Sequence, residues 1–143
     1  MFFRLRPEAQ RVDLDAGDYM AADASMIAAY DFRAAADDPT ARRDIEPSFD
    51  IATLGARPLV MPVWLLEDAG QLERIVLPVY GRGMWSTIYG YVALESDLET
   101  VADAWFYEHG ETPGIGDRIQ NPAWLAGWTG KRAFAADRSE ERR

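Results

Sequence analysis

From Leu59 onward the apolar residues come in short blocks separated by polar or glycine-containing stretches. Residues 59–66 and 73–80 are each rich in strand formers. Each holds an internal proline, Pro62 and Pro78, which predicts an edge strand or a bulge. Glu67-Asp68-Ala69-Gly70 lies between them and predicts a hairpin turn. Residues 87–94 alternate: Ile88, Gly90, Val92 and Leu94 fall on one face, and Thr87, Tyr89, Tyr91 and Ala93 on the other. Residues 101–107 form a fourth, aromatic strand ending in Trp105, Phe106 and Tyr107. Four strands with short connections predict an antiparallel meander. With no helix between them, a parallel sheet is not expected.

The first 50 residues lack such a pattern and read as mixed and weakly ordered. Asp15-Ala16-Gly17-Asp18 predicts a turn. Asp23 is placed to cap a helix over residues 24–36, which Asp37-Asp38-Pro39 ends. Residues 44–50, with Pro47, read as loop. Near the other end, Asn121-Pro122 predicts a helix start, with Trp124, Leu125 and Trp128 on one face and Gly130 as the stop. The chain divides into an N-terminal helix-and-loop part (1–57), a meander with a short helix (58–136) and a charged tail expected to fray (137–143).

Composition narrows the chemistry. The 143 residues fit one domain, and 48% hydrophobic residues suffice for a core. With 24 acidic against 15 basic residues the net charge is -9, which disfavours a phosphate backbone, so no nucleic-acid partner is expected. Cysteine is absent, which excludes thiolate catalysis, cysteine-held iron–sulfur clusters and disulfides. The single histidine, His109, excludes a multi-histidine metal site. There is no run of about 18 apolar residues, the length a membrane span needs.

Candidate chemistry gathers in two loops. Gly81-Arg82-Gly83-Met84-Trp85-Ser86 has the glycines of a dinucleotide loop, but a strand follows where that loop needs a helix, so a hairpin connection is expected. Glu108-His109-Gly110-Glu111 offers two carboxylates and an imidazole, either as acid–base groups or as a polar strand end. In Glu111-Thr112-Pro113-Gly114-Ile115-Gly116, Pro113 and Gly114 suit the centre of a type II turn. That stretch is either a plain tight turn or a backbone cradle for a planar or anionic ligand. Trp85, Tyr89, Trp105, Tyr107, Trp124 and Trp128 are expected to be core residues, with framing of a flat cofactor as the alternative.

These same segments resemble a known family. Residues 77–90 (Leu-Pro-Val-Tyr-Gly-Arg-Gly-Met-Trp-Ser-Thr-Ile-Tyr-Gly) and 106–116 (Phe-Tyr-Glu-His-Gly-Glu-Thr-Pro-Gly-Ile-Gly) are similar to segments of the flavin-carrying C-subunit of the sodium-translocating NADH:quinone oxidoreductases. So are Asn121-Pro122-Ala123-Trp124 and Trp128-Thr129-Gly130-Lys131. The similarity is strong over residues 74–134 and weaker back to Val12. It implies an α+β FMN-binding domain: an antiparallel sheet with a few short helices, incomplete at its C-terminus. It implies electron transfer by FMN as the role, other membrane subunits of the complex as partners, and a flavin transferase in maturation. It also implies a bacterial cytoplasmic membrane complex with this domain on its outer, periplasmic side. In the family FMN is joined to a threonine in Ser-Gly-Ala-Thr. None of the six threonines here follows Ser-Gly-Ala, so the covalent site is expected to lie outside this chain. The resemblance puts Trp85, Ser86, Glu111, Thr112, Pro113, Gly114, Ile115 and Gly116 near the flavin ring and Lys131 near a reduced ring or its phosphate. A flavin-free assembly module that kept the fold is the alternative.

Overall fold

Proline placement shapes the main sheet. The structure, a computed structural model, describes residues 6–20 and 24–133. Strands β1 (Arg6–Asp13), β2 (Asp18–Met20), β5 (Val60–Asp68), β6 (Gln71–Arg82), β7 (Thr87–Glu95) and β8 (Val101–Glu108) form one sheet in the order β2-β1-β5-β6-β7-β8. Strands β3 (Arg42–Asp44) and β4 (Ala56–Pro58) pair separately. All described pairings are antiparallel, and β5 to β8 form the expected meander. With short helices α1 (Ala24–Ala29), α2 (Phe32–Asp37) and α3 (Pro122–Ala126), the fold is a single α+β domain.

The β5–β6 ladder starts at a two-residue turn. Ala69 and Gly70 both have positive φ, the conformation that matches the twist of a tight hairpin. It runs to Trp64 opposite Val76 and stops. Continuing that register would bring Pro62 opposite Pro78, two residues without a backbone N–H. Each proline is instead paired on its other side, Pro62 with Arg11 and Pro78 with Tyr91. Pro62 thus marks neither the edge strand nor the bulge that its sequence suggested, but a strand with one local neighbour. Beyond the prolines β5 and β6 part. The Arg82 N–H donates to the Ala52 carbonyl of the 45–55 loop at 2.9 Å. An apolar cleft of about 570 Å³ lies at the parting, lined by Ile45, Leu54, Met61, Leu77 and Val79 among others.

The two faces of the meander follow the alternation. Val63, Ile75, Leu94 and Val101 are buried together, with Leu77, Val92 and Trp128 packed on them. The opposite face is an aromatic sheet surface: Tyr91 lies 5.3 Å from Tyr107, 5.5 Å from Trp105 and 5.7 Å from Trp64. At Gly90, where the β7–β8 register shifts, a Cβ would overlap the Trp105 carbonyl and the Phe106 ring. The outer edge of β8 is covered at its first residue, where Gly130 N–H donates to the Val101 carbonyl and Val101 N–H to the Lys131 carbonyl, both at 2.8 Å.

Three expectations change. The N-terminal part holds an ordered strand, β1, because its eight residues all pair with β5; tertiary pairing overrides a sequence with little strand propensity. The helix expected over residues 24–36 is two helices. The Asp31 carboxylate accepts from the Arg33 and Ala34 N–H groups and starts α2, while the Tyr30 hydroxyl donates to the Val60 carbonyl at 2.7 Å. Asp23, its expected cap, and the 137–143 tail lie outside the described residues. Asn121 does cap α3, accepting from Ala123 and Trp124, but the helix ends at Ala126 rather than at Gly130.

Candidate functional site

Two loops meet at the end of the meander where β6 turns into β7 and β8 ends. The first, residues 83–86, is closed by the Gly83 N–H donating to the Ser86 carbonyl at 2.8 Å, so it is the hairpin connection its sequence predicts. The second follows Glu108. Its turn is centred on Pro113 and Gly114, with Gly114 at φ +79°. The Thr112 carbonyl accepts from the N–H groups of Ile115 at 3.1 Å, Gly116 at 2.9 Å and Asp117 at 3.4 Å. Gly114 N–H donates to Asp117 Oδ1 at 2.8 Å. That is the type II turn the Pro-Gly pair called for, reinforced on both sides.

Side chains tie the two loops together. Trp85 Nε1 donates to Thr112 Oγ1 at 3.0 Å, and the Met84 N–H donates to Glu111 Oε1 at 3.1 Å. Gly110 is tight against Ser86: a Cβ there would sit 2.7 Å from Ser86 Oγ. The apolar groups on this frame stay in solvent. Met84 is 81% exposed, Ile115 75% and Trp85 66%. Trp85 is therefore not the core residue that its aromatic character suggested, and Trp105, Tyr107 and Trp124 are also partly in solvent. Trp124 and Trp128 pack with Phe106 on the core side of β8, and Tyr89 and Tyr107 on the other face.

The charged groups beside the loops are in structural use. Glu108 pairs with Arg33 at 2.6 Å, and Arg33 stacks 3.5 Å above the Tyr89 ring. His109 Nδ1 accepts from the Glu111 N–H at 3.1 Å. The segment 108–111 thus binds α2 and the neighbouring loop rather than converging on one reacting position. Among the described residues no acidic or histidine cluster can hold a metal ion.

The structure brings Trp85, Ser86 and the 111–116 turn together. It does not bring Lys131 to them. Lys131 sits beside Val101, at the other end of β8 from Glu108, a separation of about 23 Å at the usual strand rise. There it lines a hollow with Trp124, Gly127 and Trp128. Met84, next to Trp85, was not among the expected site residues, and the structure leaves it exposed beside them.

The FMN-binding domain family matches residues 83–142, which include both loops. The C-subunit of the Na(+)-translocating NADH-quinone reductase of Pseudomonas aeruginosa is 43% identical over 94% of this chain and 51% of its own length. Its Yersinia pestis counterpart is 38% identical over 92% of this chain and 49% of its own. The crystal structure of Shewanella oneidensis NqrC superposes with a TM-score of 0.81 at 40% identity, covering 91% of this chain and 58% of that one. The chain is similar to NqrC over nine-tenths of its own length. The resemblance read from residues 77–90 and 106–116 holds, therefore, and so does the α+β fold it implied. The chain spans about half the length of the curated NqrC relatives it matches.

Proposed function

We propose that this chain is part of an FMN-carrying electron-transfer subunit of a sodium-pumping NADH:quinone oxidoreductase, and that the loop pair 83–86 and 110–116 receives the flavin ring. The observation that carries the reading is the exposed Trp85 and Ile115 on a frame fixed by hydrogen bonds. A monomeric domain gains nothing in stability from leaving an indole two-thirds in water, so an apolar group displayed on a rigid frame fits a binding role.

The residues present suit a flat heterocycle. The indole of Trp85 and the side chain of Ile115 offer apolar surface. Ser86 and Thr112 carry hydroxyls suited to polar ring edges, and the open backbone at Gly114 allows close approach. Glu111 supports the frame. Lys131, at the far end of β8, has no place beside this ring site. FMN supplies one-electron acceptance and donation when bound. The protein's part is to hold the ring, exclude water from one side and set its electrostatic surroundings; no side chain need act as nucleophile or base.

The finer reading follows the family resemblance. The covalent threonine lies in sequence outside this chain, a flavin transferase loads it, and the partners are the other membrane subunits, with this domain on the outer side of the cytoplasmic membrane. Among the described residues no helix is long and apolar enough to cross a membrane. The apolar cleft where β5 and β6 part favours a second reading, a flavin-free assembly module that docks polypeptide there.

Intact mass and absorption of the gene product extended past Arg143, coexpressed with a flavin transferase, separate the two. An FMN-phosphoryl adduct with flavin absorption is the expected result. A colourless, unmodified product moves the function to the assembly module.

A further inference from the structure

Glu111 is the residue that both loops are built around. Its Oε1 accepts the Met84 N–H at 3.1 Å, and its own N–H donates to His109 Nδ1 at 3.1 Å. Its side chain lies between two glycines. A Cβ at Gly83 would overlap Glu111 Oε1, and a Cβ at Gly116 would come within 2.7 Å of Glu111 Cβ and 3.1 Å of Oε2. The space is thus shaped to this side chain on both sides. No basic side chain pairs with Glu111 among the described ion pairs, so its carboxylate oxygen is left to accept from the Met84 amide.

We propose that Glu111 is the positioning residue of the site: its carboxylate holds the 83–86 loop against the 110–116 turn and so sets the spacing between the Trp85 indole and the Ile115 side chain that a flat heteroaromatic ring uses. The inference rests on the flavin-site reading above. Met84 is the residue next to Trp85, so fixing its amide fixes where the indole starts from the backbone. The Trp85–Thr112 bond then sets the indole's orientation. One bond gives position and the other gives direction. Without the first, the second must hold a loop whose two neighbouring residues, Met84 and Trp85, are mostly in solvent.

The test uses the chain itself, with Glu111→Gln and Glu111→Ala variants. Gln keeps an oxygen acceptor of the same reach; Ala removes it. Riboflavin is the probe, because it carries the ring without the phosphate. Two readouts are followed: amide hydrogen exchange at Met84 by NMR without flavin, and riboflavin fluorescence quenching. In Glu111→Ala, Met84 exchange should speed up and riboflavin affinity should fall, each by about tenfold, the size of one lost hydrogen bond. Glu111→Gln should stay within about threefold of the parent in both, since an acceptor remains. If Ala disturbs folding, Gly116→Ala, which crowds the Glu111 side chain, should give the same loss. Unchanged Met84 exchange in Glu111→Ala overturns the clasp whatever flavin does. Equal riboflavin affinity in all three overturns the positioning role. So does equal weakness of Gln and Ala, which would make charge rather than spacing the cause. If the parent takes up no riboflavin while Met84 still responds to Glu111→Ala, the ring-site reading fails and the positioning role with it.

Discussion

The two ends of the meander use apolar side chains in opposite ways. Leu94 and Val101, at one end of the β7–β8 pair, are each 3% exposed. Trp85 and Ile115, at the other, stand mostly in water. At the first end hydrophobic burial holds the structure, and the backbone follows the ladder. At the second, hydrogen bonds among Gly83, Met84, Glu111, Thr112 and Asp117 hold the structure, and the apolar groups are left over. Apolar surface that the fold does not bury is available for contact with something else. That contrast, more than the amount of aromatic surface, is the ground on which the site is proposed.

The contrast can be broken by substitution, and the largest effect belongs to the buried end. Leu94→Ala should cost about 3 kcal/mol in denaturant unfolding, because the core around it can relax only in part. Trp85→Ala should cost under about 1 kcal/mol, the net worth of its hydrogen bond, yet abolish riboflavin uptake. Equal stability losses at the two sites would erase the distinction. Gly90→Ala comes next, at about 2 kcal/mol, because the new Cβ meets the Trp105 backbone, which cannot step aside as a flexible side chain can. Arg33→Ala should cost about 1 kcal/mol or less, the range of a half-exposed ion pair combined with one stacking contact. Thermal unfolding checks both.

The smallest effect is electrostatic. The bond from Arg57 to Asp15, together with Arg43, holds the Asp15 carboxyl below its ordinary 3.8. A group whose folded value is depressed stabilises the protein above its unfolded value, and that contribution is lost as pH falls through the folded one. The protein should therefore lose stability below pH 3.8, and Asp15→Asn should flatten that fall. An unchanged acid limb in Asp15→Asn would show that the pair contributes nothing to folding.

The parts legible in sequence are those set by local chemistry. The alternation from Thr87 to Leu94 sorts tyrosines from core residues because a strand has no other way to place them. Thr112-Pro113-Gly114 encodes its own turn, and Asn121 its own cap. The parts that were not legible depend on distant partners. Strand β1 exists because β5 offers it eight residues of ladder. The break between α1 and α2 accompanies a hydroxyl–carbonyl bond from Tyr30 to Val60, thirty residues away. Pro62 and Pro78 each looked like an edge signal, and only their shared register reveals a parting of two strands. At the proposed site, Trp85 and the 111–116 turn were singled out from motif position, and the structure places them side by side. Lys131 lies apart from them because chain distance says nothing about which end of β8 it would reach.

The most direct test of the loop pair as the flavin site is an NMR titration of the chain with riboflavin. The Trp85 indole and the amides of Thr112, Gly114, Ile115 and Gly116 should shift together, while Ile45, Leu54 and Leu77 at the apolar cleft should not. Shifts confined to the cleft, or none anywhere, would contradict the assignment.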